Sequence, residues 1–415
     1  MSTSEPYKNV HRAYITPRIG DDLSKINRKA LEYLHGFLVN HPAMSQVFRI
    51  SLEHIQSVID NDAIYNLMTT VPFAILSPTL TRLDDWKSLA NTKATTITID
   101  NLRSMMPGHL AGNTTIHLQN LNERYLDLIR AVGQDSILAE PFLGIDRDII
   151  AFLCGLSYSQ QHALLANANT LPLFRWRYDS QGFLFEIKNR LLTRDTFIHY
   201  IMMSGTVPLR LLPRGNRWGD HRYPLGTKEQ YGNALMAHGF RASHAKELLS
   251  LHAGRTRDMF KRMHGRSSTC GNVSTSLLWV CSDSMHRLHT TFFLYLYRSA
   301  LALENDGPKA FIASLNAYER TIPTEQRLKN LHADRLYQLV HRMSYESLVH
   351  VGPCNKCRTS YIMSNMAPKI EILSDFECPM CSGKLFASRS RSAKARKKTL
   401  SPVTETILDS QDSGV

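Results

Sequence analysis

Of the seven cysteines, four stand in two tight pairs, Cys354-Asn355-Lys356-Cys357 and Cys378-Pro379-Met380-Cys381, with 20 residues between the pairs. A two-residue spacing lets both sulfurs of a pair turn toward one ion. Four thiolates then fill the tetrahedral shell of Zn²⁺ and leave no vacant position for a water or a substrate. Such a site builds structure rather than hydrolysing anything. Ser382-Gly383 follow the second pair, and small residues there ease a tight turn. Strand-like runs at Ser360-Tyr361-Ile362-Met363 and Lys369-Ile370-Glu371-Ile372-Leu373 lie between the pairs, so a zinc ribbon is expected over 351–386. Two disulfides, a redox pair or an iron–sulfur cluster are the alternatives. The N-terminus MSTSEPYKNVHRAY has no apolar segment and no small-residue cleavage pattern, so a reducing, cytoplasmic setting is expected, which disfavours disulfides. Cys154, Cys270 and Cys281 sit in apolar or helical contexts and read as core residues.

Charge points to a partner for this module. The chain carries 49 Lys+Arg against 36 Asp+Glu, a net +13, and the excess is concentrated. Residues 1–200 hold 19 basic and 19 acidic side chains, whereas residues 201–300 hold 14 and 5. Residues 384–398 add seven basic residues and no acidic one. A single basic face is commonly only solvated. Two such patches flanking a metal site instead suggest a nucleic-acid or anionic-surface binder.

The first patch reads as three short helices: Lys228–His238, a second capped by Ser243 and running through Ser250, and a third, Arg255–His264, after a Leu251–Gly254 turn. On the third, Thr256, Met259, Phe260 and Met263 share one face, while Arg255, Arg257, Lys261 and Arg262 point away, with Arg266 just beyond. That is what a helix-turn-helix requires: an apolar stripe to dock and a basic arc to meet a duplex. The second patch is a Ser-rich arm (Lys384, Arg389, Arg391, Lys394, Arg396, Lys397, Lys398), expected to follow a phosphate backbone without reading sequence. The last 17 residues are expected to be disordered.

The neutral half contains a repeat at an offset close to 95. Ile26-Asn27-Arg28-Lys29-Ala30-Leu31 and Leu121-Asn122-Glu123-Arg124-Tyr125-Leu126 each open a helical pattern leading to a Phe–Ile signature. A cap residue follows (Ser51, Asp146), then a second helix in which Val58-Ile59 align with Leu153-Cys154, and then a Pro turn (Pro72, Pro172). The second turn leads into the strand-like Leu173-Phe174-Arg175-Trp176-Arg177. Tandem duplication with the copies packed together is expected. The resulting scheme is mainly α: an extension over 1–25, units at 26–95 and 121–205 joined by a connector over 96–120, a helical domain at 222–350, the ribbon at 351–386, and an arm and tail over 387–415. The connecting region 80–120 is expected to hold one short amphipathic piece near Trp86–Leu89.

From about 222 to 398 the chain resembles FlhC, the zinc-containing subunit of the bacterial flagellar master activator. The likeness rests on the Gly254-Arg255 helix with Phe260-Lys261 and Gly265, the helical middle (Ser282–Leu303, Lys309–Tyr318, Leu331–His350), and the four cysteines followed by a basic arm. The spacing between the cysteine pairs is somewhat longer here. Each repeat in turn resembles FlhD, the partner subunit. In the second the likeness is carried by Phe142-Leu143-Gly144-Ile145-Asp146, by Leu156-Ser157-Tyr158-Ser159-Gln160 and by Leu173–Ser180; the first diverges after Ile50.

The resemblance implies a transcriptional activator that binds double-stranded promoter DNA and recruits RNA polymerase. Its genes would be flagellar or those of another programme such as conjugative transfer. The family joins two FlhD chains to each FlhC, so an FlhD–FlhD–FlhC polypeptide would act as a homodimer. A zinc-ribbon RNA binder without activator function is the alternative. No H-E-x-x-H, Gly-Lys-Ser/Thr phosphate loop, G-x-S-x-G or dinucleotide fingerprint supports an enzyme. The 18 histidines, His286 and His289 among them, read as structural or solvent-facing.

Overall fold

The structure, a computed structural model, describes residues 17–385 except 92–94, 109, 111, 216–217, 219–221, 270–276, 282, 330, 346–348, 365–376 and 384. Cys270, the run Lys369–Leu373 and the whole basic arm, from Lys384 through Lys398, lie outside the described residues. Among the described residues no helix is long and apolar enough to cross a membrane.

The neutral half repeats one series of elements. In the first pass these are α1 (Pro17–Asn40), α2 (Ser45–Phe48), α3 (Leu52–Ile59), α4 (Asp62–Thr70), β1 (Leu76–Pro78), α5 (Leu83–Ala90) and α6 (Ile97–Met105). In the second they are α7 (Gly112–Asp135), α8 (Ala139–Leu143), α9 (Arg147–Cys154), α10 (Tyr158–Asn167), β2 (Phe174–Trp176), α11 (Gln181–Lys188) and α12 (Arg194–Met203). Ser51 and Asp146 accept from the backbone N–H groups of His54 and Asp148 and cap α3 and α9, as N-cap side chains do.

Each pass is tied by one buried asparagine. Asn27 donates to the carbonyls of Met68 (3.0 Å) and Phe73 (2.9 Å) and accepts from the Ile75 N–H (3.0 Å). Asn122 donates to Ala168 (3.4 Å) and Leu171 (2.8 Å) and accepts from Leu173 N–H (2.9 Å). Both side chains thereby satisfy loop backbone that burial has cut off from water.

The passes interlock. α1 packs on α7, β1 pairs antiparallel with β2, and the helix after each strand crosses over: α5 packs on α9 and α10, and α11 on α3. Trp86 of α5 is fully buried and donates to Leu80 O at 2.9 Å, while Asn167 of α10 donates to Leu89 O at 2.8 Å. Beside the strands Arg177 is buried, donating from Nη1 to Phe142 O (3.1 Å), from Nη2 to Pro141 O (3.0 Å) and from Nε to Ser204 Oγ (2.9 Å). Gly144 has φ +64°, and a Cβ there would meet Arg177 Nε at 2.6 Å, so the guanidinium fits only against glycine.

Two expectations change here. The stretch 96–120, expected to be a connector, holds α6 and the first turns of α7, while the short piece expected near Trp86–Leu89 is α5. Thr and Asn between periodic segments suggested loop, but Thr96 instead caps α6 by accepting from Ile99 N–H. The boundaries at 26 and 121 also cut α1 and α7, whose apolar stripes begin earlier, at Ile19 and Leu118.

The second half contains α13 (Leu225–Ala237), α14 (Ala242–Leu249), α15 (Ala253–His264), α16 (Ser284–Leu303), α17 (Gly307–Thr321), α18 (Ala333–Tyr345), β3 (Val349–Pro353) and β4 (Ser360–Ser364). α16 is the central post, buried on nearly all sides from Arg287 to Leu301, as a helix apolar round its circumference must be. It packs on α17, α18 and β4, and on α8 and α12 of the first half. Polar ties cross the same junction: His289 Nε2 lies 3.1 Å from Asp195 and its Nδ1 lies 2.8 Å from Tyr318 Oη. His289 is thus structural. His286 contacts its own cap residue, Asp283. Trp218, which lies between the second repeat and α13, is buried against Phe311 and Tyr337. The helix expected to reach His350 ends at Tyr345, and His350 lies in β3.

Candidate metal centre and nucleic-acid interface

β3 and β4 form an antiparallel hairpin in which Val349 faces Ser364 and Pro353 faces Ser360. The first cysteine pair forms its turn. The Cys354 N–H donates to Thr359 O (2.9 Å), and the Arg358 N–H donates back to Cys354 O (3.1 Å). The second pair repeats these bonds: Cys378 N–H to Gly383 O at 2.7 Å and Ser382 N–H to Cys378 O at 3.2 Å. In each turn the residue after the second cysteine is left-handed, Arg358 at φ 63° and Ser382 at φ 52°.

The expectation that small residues ease the turn is met differently in detail, because a large residue takes the left-handed position in the first turn. Gly383 is small for another reason. A Cβ there would come within 2.7 Å of Cys354 Sγ and 2.8 Å of Asn355 Oδ1, closing the space between the two turns.

The two turns bring the four sulfurs together, all within 4.8 Å of one another. Cys354 and Cys381 Sγ lie 3.4 Å apart, and Cys357 and Cys378 Sγ 3.8 Å apart. All four cysteines are free thiols rather than disulfides. Metal–sulfur bonds of ~2.3 Å in a tetrahedron set sulfur–sulfur edges of roughly 3.8 Å, so the donor set fits one tetrahedral ion. A hydrogen bond from the Cys378 thiol pulls Cys357 down to about 4 and pushes Cys378 up. Cys357 is therefore the member of the pair that favours the thiolate a metal needs. Tyr361 of β4 is buried beneath the site, with its Oη 2.5 Å from His199 Nδ1 of α12. Thr291 of α16 accepts from the Ile362 N–H. The hairpin is therefore seated on both halves of the chain. Cys154 and Cys281 are half-buried against the core, away from the cluster.

α13, α14 and α15 pack on one another as a three-helix unit. Thr256, Met259 and Phe260 of α15 are buried, and Arg255, Arg257, Lys261, Arg262 and Arg266 are exposed. Gly265 closes the helix at φ +65°. Met263 departs from the expected stripe and is 43% exposed. The N-termini also differ. α14 begins at Ala242 after Arg241 with no side-chain cap, so Ser243 lies inside the helix. α15 begins at Ala253, shortening the expected turn to Ser250–His252, where Ser250 is left-handed. Arg255 is held to Glu229 of α13 at 2.5 Å, and Arg262 leans on its own helix through Asp258 O. Arg257, Lys261 and Arg266 complete an exposed cationic arc. The unit is anchored by Phe240 against Phe311 and Tyr337, and by Asp334, which accepts from Arg241 N–H (3.1 Å) and contacts His244 Nδ1 (2.7 Å).

Arg298, the one charge in the apolar run 291–303, is not among the expected site residues. It lies on buried α16, is 4% exposed, and has no hydrogen bond or ion pair among the described residues. Burial, with Arg214 nearby, pushes it down to about 10. An arginine inside an otherwise apolar thirteen-residue run was the available signal.

Residues 222–385 thus form a helical domain that carries an exposed basic helix and is closed by a four-cysteine cluster. Residues 228–399 match the family described as "FlhC: Flagellar transcriptional activator (FlhC)". That family consists of transcriptional activators rather than enzymes, and the match spans both α15 and the four cysteines. No curated protein matches the chain.

Proposed function

We propose that this chain is a DNA-binding transcriptional activator. In this reading Cys354, Cys357, Cys378 and Cys381 hold Zn²⁺, and α15 meets the duplex. The observation that carries it is the family match over 228–399, which covers an exposed cationic helix and a closed sulfur site in one domain. The ion's role is to fold and seat the hairpin, since four protein ligands leave no open position for chemistry. Arg255, Arg257, Lys261, Arg262 and Arg266 supply phosphate and base-edge contacts, and the arm from Arg389 to Lys398 (with Arg391, Lys394, Arg396 and Lys397) adds salt-sensitive backbone affinity.

The repeated half is read as two FlhD-like units fused in tandem. Its support is the shared order of elements, the matched asparagines and the isologous strand pair. Two such chains would make the complete activator, working in the bacterial cytoplasm with RNA polymerase on flagellar or conjugative-transfer promoters. Mapping occupied genomic sites and titrating the purified chain against promoter fragments, random duplex and RNA at fixed salt test the reading. Selective retention of promoter duplex, by a particle with the mass of two chains, is the expected result. Equal retention of RNA would favour a general zinc-ribbon RNA binder and overturn the activator assignment.

A further inference from the structure

The strand pair joining the two repeats has its centre at Ser77 opposite Arg175, with Leu76 facing Trp176 and Pro78 facing Phe174 on either side. The register is that of a two-fold axis. With β2 offset from β1 by 98, each residue faces the partner of its mirror neighbour, and the central positions face each other. In a strictly symmetric pair the central residue meets itself, and two arginines there would repel. The duplication has freed the two copies to differ, so one guanidinium projects from the centre opposite a small hydroxyl.

Paired residues of an antiparallel ladder project to the same face. On that face lies a cavity of about 390 Å³, lined by Ser77, Thr81, Arg49, Arg175, Arg177 and Thr206, among others. Its charged groups are spent on the protein, with one exception. Arg177 is committed to carbonyls and Ser204. Arg49 pairs with Asp179 at 2.7 Å, and Asp146 caps α9 through Asp148 N–H at 2.9 Å. Arg175, by contrast, is half-buried and, among the described residues, donates no hydrogen bond and forms no ion pair; Asp179 adds favourable charge nearby but its carboxylate is taken by Arg49. An arginine fork whose five donors make no hydrogen bond among the described residues, set in a cleft whose two carboxylates are already engaged, is suited to receive an oxyanion.

The geometry points to a binding site, at the seam between the two repeats, for a small molecule bearing a phosphate or carboxylate group. Arg175 forks the oxyanion, and Ser77 and Thr81 offer hydroxyls beside it. The concave shape and size suit a metabolite-sized ligand rather than a nucleic-acid backbone, which needs an open groove. The wall formed by Met203 to Thr206 continues directly from α12, which packs on α16. A ligand there would touch the joint between the repeated half and the metal-bearing half. This inference stands apart from the assignment as an activator, since it uses neither α15 nor the cysteines.

The experiment is calorimetric titration of the full chain with inorganic phosphate and, separately, with succinate, each against chloride at matched ionic strength. The proteins are wild type, Arg175→Gln, Arg175→Lys and Ser77→Arg. Saturable binding of one or both anions to wild type is expected; the phosphate and succinate arms show which oxyanion the fork prefers. Arg175→Gln should weaken it by roughly tenfold or more, as loss of charge-assisted hydrogen bonds does. Arg175→Lys should recover part of the affinity, and Ser77→Arg should abolish binding by filling the cleft. If Arg175→Gln fails to fold, the Ser77→Arg variant decides. Absence of binding to wild type, or affinity unchanged in Arg175→Gln or in folded Ser77→Arg, overturns the site. So does an Arg175→Gln variant that loses duplex affinity while neither anion binds wild type.

Discussion

Asn27 and Asn122 close the loops of the repeated half with three backbone hydrogen bonds each, whereas the two cysteine turns of the ribbon face each other across four sulfur atoms. Both devices tie segments distant in sequence. The asparagines do so with groups the chain always carries. The sulfurs, crowded together and only partly deprotonated without an ion, hold one another weakly and become a strong tie only when all four ligate a metal. The repeated half should therefore be stable from its sequence alone, and the hairpin conditional on its ion.

The largest effect should come from the sulfurs. Cys378→Ser, or a strong chelator, should cost the hairpin on the order of 10 kcal/mol of metal-linked folding energy. Hydrogen exchange should show protection lost over β3 and β4 while amides of α1 and α7 stay protected; protection unchanged over the hairpin would erase the contrast. Next come the asparagines. Asn27→Ala and Asn122→Ala should each cost about 3 kcal/mol in denaturant unfolding, because each strands several buried backbone groups. Costs differing by more than about 2 kcal/mol would show that the two passes are not equivalent.

A smaller change of opposite sign is expected at Arg298. Replacing a buried guanidinium that has no partner among the described residues by Met should stabilise the chain by about 1–2 kcal/mol. A clear loss of stability would reveal an anion held there. The smallest effect on stability is expected at Arg255, whose side chain is exposed in its ion pair with the partly buried Glu229. Arg255→Ala should change unfolding by less than about 1 kcal/mol. The same substitution should lower the salt dependence of duplex binding by about one unit of slope; an unchanged slope would remove Arg255 from the interface.

The legible parts of this sequence were those governed by local rules. Cysteine spacing placed the four-sulfur cluster, because a two-residue gap leaves few ways to turn. Ser51 and Asp146 marked helix starts because a cap acts within three residues. The repeat offset was readable from order alone. What stayed hidden depended on distant partners. β1 was missed because a three-residue strand has no periodicity and exists only through β2. The strand β3 was absorbed into the preceding helix, since Val349-His350-Val351 carries no alternation long enough to mark a strand. Thr96 looked like loop composition until the helix it caps was seen. Arg177 and Asn122 looked like ordinary polar residues, and only the packed loops show what each bonds. Met263 kept the spacing of the buried stripe yet is exposed in the last turn, where His264 rather than Met263 contacts α13 through Met236 O.

The most direct test is elemental analysis of the purified chain beside its Cys378→Ser variant. One zinc ion per wild-type chain and none in the variant is the expected result. Wild-type protein free of zinc and of iron, with amides of β3 and β4 still protected from exchange, would contradict a ribbon held by metal.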